Sequence, residues 1–129
     1  MKKTSQNKPQ ILVIDSDSML SELISSHFYK RIEMTRIDSL DHLLRIDVTD
    51  FTLIILNPGI DGDSGRQIVN MLRGNFEHTI PILLVSNSNS RPDIMKCMNA
   101  GATDFISRPF EISVLISRIS KYIGISPDQ

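Results

Sequence analysis

Residues 51–57, FTLIILN, form the most apolar segment of the sequence and indicate its class of fold. The apolar residues at 53–56 follow one another without alternation, which is typical of a strand covered on both faces. The segment ends at Asn57, and the stretch from Pro58 to Gly65 is rich in glycine and marks a long irregular loop. The pattern predicts a central strand over residues 51–56 that delivers Asn57 to a loop at its carboxyl end.

Apolar runs and amphipathic stretches alternate on both sides of this strand. Before it, the spacing predicts a strand over 10–15, a helix over 17–30, a weaker strand over 33–37 and a short helix from Ser39. After it, the spacing predicts a helix ending near Gly74, a strand over 81–86, a helix capped by Ser90, a strand over 103–106 and a final helix over about 114–123. The alternation predicts an α/β fold with a single doubly wound, five-stranded parallel sheet and five helices.

Length and composition predict one domain with no strongly charged partner. The chain has 129 residues, a formal net charge of -1 and one cysteine, Cys97. We expect a disordered lead-in over residues 1–9, a domain over 10–124, and a tail or the start of a linker over 125–129. The charge offers no basic field for nucleic acid, no apolar run is long enough to span a membrane, and the single cysteine suits a reducing cytoplasm.

Candidate functional residues follow the predicted strands. In a doubly wound sheet the carboxyl ends of the strands carry the site, beside the topological switch point. These ends are Asp15 with Ser16, Asn57, Ser86, and Ser107 with Arg108. We expect Ser16 to cap the first helix and Asp17 to lie in its first turn.

Four stretches of the sequence together resemble a response-regulator receiver domain, the phospho-acceptor module of two-component and phosphorelay signalling. They are ILVIDSD at 11–17, LIILN at 53–57 with Gly65 eight residues later, PILLVS at 81–86, and AGATDFISRPF at 100–110. The resemblance covers about residues 10–122. It implies a flavodoxin-like sheet in the strand order 2-1-3-4-5 and a signalling module that is not an enzyme.

The resemblance also implies which residues would form the phospho-acceptor pocket. Asp15 matches one of the family's acidic pair, but its partner is the neutral Ser16. Asn57 stands at the phospho-acceptor aspartate, Ser86 keeps the hydroxyl, and Arg108 replaces a lysine. With one carboxylate left of three, Asp15 is only a weak candidate ligand, so we expect weak or absent Mg²⁺ binding and no cofactor. We also expect Arg108 to pair with Asp15 through its planar fork.

Two further positions match features of the family. Phe105 stands at the aromatic switch position, which responds together with Ser86, although half-buried packing is the more common role for such a ring. Arg108-Pro109 matches a peptide bond that is cis in the family, which makes Pro109 a candidate cis-proline.

The leading hypothesis is a pseudo-receiver that is not phosphorylated at Asn57. It would bind a protein partner or a second copy through the fourth helix, fifth strand and fifth helix, at about residues 90–122, without binding nucleic acid or membrane. A working receiver with Asp61, Asp63 or Ser16 as substitute acceptor is the alternative, although Asp61 and Asp63 fit solvated loop acids. A small flavodoxin-like enzyme or flavin carrier is a remote alternative, because no Gly-rich phosphate loop follows the first strand.

Overall fold

The computed structural model describes residues 8–62, 64–76, 79–86 and 91–127. The strands are β1 (Gln10–Ile14), β2 (Glu33–Ile37), β3 (Leu53–Leu56), β4 (Ile82–Ser86) and β5 (Asp104–Ser107). The helices are α1 (Met19–His27), α2 (Leu40–Leu43), α3 (Gly65–Phe76), α4 (Arg91–Ala100) and α5 (Ile112–Ile123). The expected cap Ser90 and most of the expected lead-in lie outside the described residues.

The five strands form one parallel sheet in the order β2-β1-β3-β4-β5. The predicted fold class and strand order are confirmed. In the register of the sheet, Ile14 of β1 lies beside Leu56 of β3, and Leu56 lies beside Leu84 of β4. The chain therefore leaves these three strands at one edge, where the next residues become neighbours.

Helices cover both faces of the sheet. Ile11 and Val13 of β1 belong to the core shared with α1 and α5, whereas Leu12 and Ile14 belong to the core under α2, α3 and α4. Side chains alternate between the faces of a strand, so an uninterrupted apolar run is needed to fill both cores. Within the described ranges, no helix combines the length and apolarity that a membrane span requires.

The first helix begins later than expected. The prediction that Ser16 caps α1 is wrong, because Ser16 is exposed and the cap position is Ser18. Asp17 also lies before the helix, where its Oδ1 accepts a hydrogen bond from the backbone N–H of Met19 at 2.9 Å. The cause is a turn in which Asp15 Oδ1 accepts from the N–H of Asp17 at 3.1 Å and delays the helix.

The loop after β3 closes tightly against the start of α3. The N–H of Gly65 donates to the carbonyl of Pro58 at 3.1 Å. A Cβ at Gly65 would lie 2.6 Å from both Cα and O of Pro58, which is far inside van der Waals contact. Only glycine fits here without a backbone shift. Further along, α3 passes through Gly74 and ends at Phe76, two residues beyond the expected end.

We expect Gly65→Ala to lower the free energy of unfolding by about 1–3 kcal/mol, because the added methyl group forces the loop away from α3. Urea unfolding followed by circular dichroism measures the change. Gly74→Ala is the matched control, since a Cβ there meets nothing within 4 Å. It should raise stability by about 0.5–1 kcal/mol through helix propensity. Equal stabilisation by both substitutions would contradict the close packing at Gly65.

Candidate functional site

Asp15 and Asn57 contact each other at the carboxyl edge of the sheet. They directly follow Ile14 and Leu56, which are register partners, and they are only 3% and 8% exposed. Asn57 Nδ2 donates a hydrogen bond to Asp15 Oδ1 at 3.2 Å, and Asn57 Oδ1 accepts one from the N–H of Gly59 at 3.0 Å. The Gly59 donor determines the orientation of the amide, because only its oxygen can accept that proton.

The buried carboxylate is compensated by N–H groups. Asp15 Oδ1 accepts from Asn57 Nδ2 and from the N–H of Asp17. A buried carboxylate that accepts hydrogen bonds avoids the cost of an unpaired charge. The N–H group of Asn57 compensates Asp15 in this way without a cation.

The contact between Asp15 and Asn57 contains one carboxylate and no second anionic group. Mg²⁺ prefers several hard, anionic oxygens, and Asp15 is the one carboxylate of the contact. Asn57 turns its NH₂ group toward Asp15 and its oxygen toward Gly59 N. Nowhere in the described part of the chain do three His, Cys, Asp or Glu side chains come together as metal ligands could.

Ser16 and Ser86 differ in their surroundings. Ser16 is exposed, and the guanidinium of Arg36 donates to the Asp15 carbonyl at 2.9 Å and to the Ser16 carbonyl at 3.5 Å. Ser86 is buried at the end of β4, and its carbonyl accepts a hydrogen bond from Arg108 N at 3.0 Å. The backbone of Arg108 is thus tied to the edge of the sheet that carries Ser86.

The side chain of Arg108 does not join the site. The predicted ion pair with Asp15 is wrong, since no such pair forms between these two described residues. The guanidinium carbon of Arg108 instead lies 5.3 Å from the ring centroid of Phe110. Asp15 already accepts two N–H groups, and the aromatic face offers the cation a favourable contact elsewhere.

Phe105 and Pro109 lie on either side of Arg108 in the chain. Phe105 is partly buried and packs against the core under α2, α3 and α4. The Arg108-Pro109 peptide bond is cis. The placement of Phe105 matches half-buried aromatic packing.

Asp61 has a structural contact that the sequence did not indicate. It is exposed, as expected of a loop acid, but its Oδ2 accepts a hydrogen bond from the N–H of Leu40 at 2.8 Å. Ser39 Oγ accepts from the N–H of His42 at the same helix start. Asp61 and Ser39 therefore cap α2 together. Asp63, the other candidate acceptor, lies outside the described residues.

Sequence reasoning missed a polar cluster between β5 and α5. Asp104 Oδ2 accepts hydrogen bonds from Arg118 Nη1 at 2.9 Å and from the Tyr122 hydroxyl at 3.0 Å. Burial raises the pKa of Tyr122, the Asp104 hydrogen bond and charge raise it further, and Arg118 acts in the opposite direction. The sequence feature that could have indicated this cluster is the i, i+4 spacing of Arg118 and Tyr122, which places them on the same side of a helix.

A doubly wound sheet with polar residues at the carboxyl ends of β1, β3 and β4 defines the chain as a flavodoxin-like α/β protein. A family model described as "Response regulator receiver domain" matches residues 11–120. The chain belongs to this family and is a receiver domain of two-component signalling.

Two relatives illustrate the similarity. The transcriptional regulatory protein TctD of Salmonella typhimurium (strain LT2) is 32% identical over 89 residues, which cover 69% of this chain and 38% of that protein. The heme response regulator HssR of Staphylococcus aureus (strain bovine RF122) is 27% identical over 112 residues, which cover 85% of this chain and 49% of the relative. The chain thus spans less than half the length of either relative.

Solved structures show the same fold. A response regulator receiver protein from Pseudoalteromonas atlantica superposes with a TM-score of 0.79 at 22% identity, over 90% of this chain and 98% of that one. The non-phosphorylated HemR receiver domain from Leptospira biflexa gives 0.77 at 19% identity, over 92% and 97%.

We expect Asn57→Asp to lower stability by about 1–3 kcal/mol at pH 7, because it replaces an N–H donor with a second carboxylate beside Asp15. Urea unfolding at pH 7, in EDTA so that no divalent cation screens the pair, measures the change.

Asn70→Asp is the control for this experiment, because it makes the same charge change at an exposed position of α3. Its effect should stay within about 0.5 kcal/mol. If Asn57→Asp behaved like the control at pH 7, the side chains at 15 and 57 would not be in contact.

Proposed function

We propose that this chain is a pseudo-receiver: a receiver domain that is not phosphorylated at position 57 and that signals through protein-protein binding. The observation that carries the proposal is the contact between Asn57 Nδ2 and Asp15 Oδ1 at 3.2 Å. An N–H donor occupies the place where a receiver needs an anionic nucleophile.

The chemistry of the site supports this reading. Attack on phosphorus needs an electron-rich oxygen, and the lone pairs of a carboxylate supply it. An amide oxygen is far less nucleophilic, and that of Asn57 already accepts from Gly59 N. The Arg108 guanidinium lies over Phe110 and is not paired with Asp15. Asp15 therefore does not hold this cation in a position where it could bind phosphoryl oxygens. We infer that Mg²⁺ binding here is weak or absent.

A substitute acceptor in the loop after β3 is the alternative function. Asp61 is weakened as a candidate by its hydrogen bond to Leu40 N, which stabilises the start of α2 and would be lost on phosphorylation. Asp63 and Ser16 stay open as acceptors, and the experiment below includes them. No contact among the described residues supports a role as a flavin carrier. We propose a role in protein binding, without an enzymatic activity.

Treatment with acetyl phosphate, or with beryllofluoride, in the presence of Mg²⁺ tests the proposal. We expect no added mass by intact mass spectrometry and no specific amide shift changes at residues 57, 86 and 105, because the nucleophile and the metal ligands are missing. Specific shifts at those residues would refute it. Added mass that disappears in an Asp61→Asn, Asp63→Asn variant would establish the alternative, and added mass lost only in Ser16→Ala would assign Ser16.

The matched control restores the family's residues. The triple variant Ser16→Asp, Asn57→Asp, Arg108→Lys recreates the acidic pair, the acceptor and the lysine on this fold. It should gain the mass of one phosphoryl group and show the amide shifts that the parent lacks. A response from the control shows that the reagents work and that the substitutions at these positions account for the inactivity of the parent.

The binding surface that we propose comprises α4, β5 and α5, which we call the 4-5-5 face; its expected first residue, Ser90, lies outside the described residues. Met95 on α4 and Val114 on α5 are large apolar side chains that are 43% and 40% exposed. Val114 precedes Arg118 by one helical turn and Tyr122 by two, so the three residues lie along one side of α5. Arg118 and Tyr122 on this side contact Asp104 of β5. Exposed apolar groups beside a fixed polar cluster suit a protein interface.

Site-specific crosslinking tests whether a second copy covers the 4-5-5 face. Val114→Cys places an exposed thiol there, while the native Cys97 is buried. With a short bis-maleimide we expect a covalent dimer, because a two-fold interface brings the two Val114 positions together. Leu44→Cys, at the C-cap of α2 on the opposite face of the sheet from α5, is the control and should remain monomeric. Equal crosslinking of both variants, or of neither, would exclude a homodimer through this face and leave a different protein as its partner.

The proposal concerns residues 1–129 and assigns them to the cytoplasm. With a net charge of -1, we infer that this domain makes no direct contact with nucleic acid. Two relatives are named as a transcriptional regulatory protein and a response regulator. Any role of residues 1–129 in transcription would therefore be indirect.

A further inference from the structure

A pocket lies between α1 and the segment that joins β5 to α5, away from the contact of Asp15 with Asn57. Its volume is about 640 Å³. One wall comes from Met19, Leu20 and Leu23 of α1, and the other includes Phe110 and Ile112. Pockets that bind small organic molecules typically occupy roughly 300–1,000 Å³ and are mostly apolar with a few polar groups. This pocket has the size and the lining of a small-molecule site.

Among the described residues that line the pocket, Arg108 is the single charged one. Its Nε is buried and has no hydrogen-bond partner. A buried donor without a partner is costly, and the cost is larger for a charged group. The guanidinium lies against the Phe110 ring, at 5.3 Å from its centroid, which holds the cation at the pocket wall. The pocket therefore presents one cation, the Arg108 guanidinium, to an incoming ligand.

The acids near the pocket do not neutralise this cation. Glu22 of α1 accepts a hydrogen bond from Ser18 Oγ, and Asp17 accepts one from Met19 N. Glu111 follows the Phe110 wall directly but is exposed, and none of the three forms an ion pair with Arg108 within the described residues. The charge of the pocket is thus complementary to an anion.

We propose that this pocket binds a small amphiphilic monoanion: a carboxylate carried on a short apolar chain or ring. The carboxylate accepts from the Arg108 guanidinium, and the apolar part lies between α1 and the Phe110 wall. The inference does not depend on phosphorylation at Asn57 or on Val114, because neither residue lines the pocket, although Ile112 of α5 belongs both to the pocket and to the 4-5-5 face. A bound ligand would keep the Arg108 side chain in the pocket and away from Asp15.

Octanoate is the probe, and octanamide, which has the same chain without the charge, is its control. Titration followed by amide chemical shifts should give saturable changes at residues 19, 20, 23 and 108–112. Octanoate should bind roughly ten- to a hundredfold more tightly than octanamide, which is the range expected of a charge-assisted hydrogen bond. No saturable change, or equal binding of the two probes, would overturn the proposal.

Variants distinguish the proposed site from general binding of apolar molecules. Arg108→Gln should reduce the affinity for octanoate to about that for octanamide, and it should change octanamide binding much less than octanoate binding. Met19→Glu places a negative charge at the pocket from a side chain that is 62% exposed, so folding should tolerate it. Met19→Glu should weaken octanoate binding at least as strongly as Arg108→Gln does.

Leu44→Glu is the matched control, because Leu44 is 64% exposed and belongs to the other side of the sheet, next to α2. It should leave the affinity for octanoate unchanged. Full octanoate binding by Met19→Glu would place the probe outside this pocket. Equal loss in Met19→Glu and Leu44→Glu would show a nonspecific effect of added negative charge.

Discussion

The parallel pairing of β1 with β3 is the constraint on which the rest of the site depends. Ile14 and Leu56 are register partners, so Asp15 and Asn57 leave the sheet side by side. A slip of one residue would turn every side chain of a strand to the opposite face and mix the two cores, which makes the register strongly specified. The contact between Asp15 and Asn57 therefore follows from burial of the apolar strands.

One carboxylate then organises its surroundings through N–H donors. Asp15 Oδ1 accepts from Asn57 Nδ2 and from Asp17 N, and the second of these bonds shapes the turn that precedes α1. Since Asp15 is already satisfied, the Arg108 side chain packs on Phe110, at the wall of the pocket beside α1. The hydrogen bonds of Asp15 and the position of the Arg108 side chain at the pocket beside α1 are thus linked.

Helix α5 serves two surfaces. Ile112 lines the pocket beside α1, whereas Arg118 and Tyr122 contact Asp104 of β5 on the other side of the helix. Partial burial and the hydrogen bond to Asp104 both raise the pKa of Tyr122. Its hydroxyl therefore stays neutral, and remains a hydrogen-bond donor, to a higher pH than that of an ordinary tyrosine. The pocket and the surface that we propose for protein binding thus share α5 but use different residues of it.

The sequence by itself determined the class of fold and the chemical type of each site residue. Uninterrupted apolar runs such as residues 53–56, followed by a glycine-rich loop, are typical of strands buried on both faces, and Asn57 is an amide whatever surrounds it. Only the tertiary structure decided the contacts of long side chains. Arg108 could reach either Asp15 or Phe110, and Asp61 could have stayed in solvent without capping α2. Such choices depend on which distant groups are already hydrogen-bonded, and residue spacing along the chain carries no information about that.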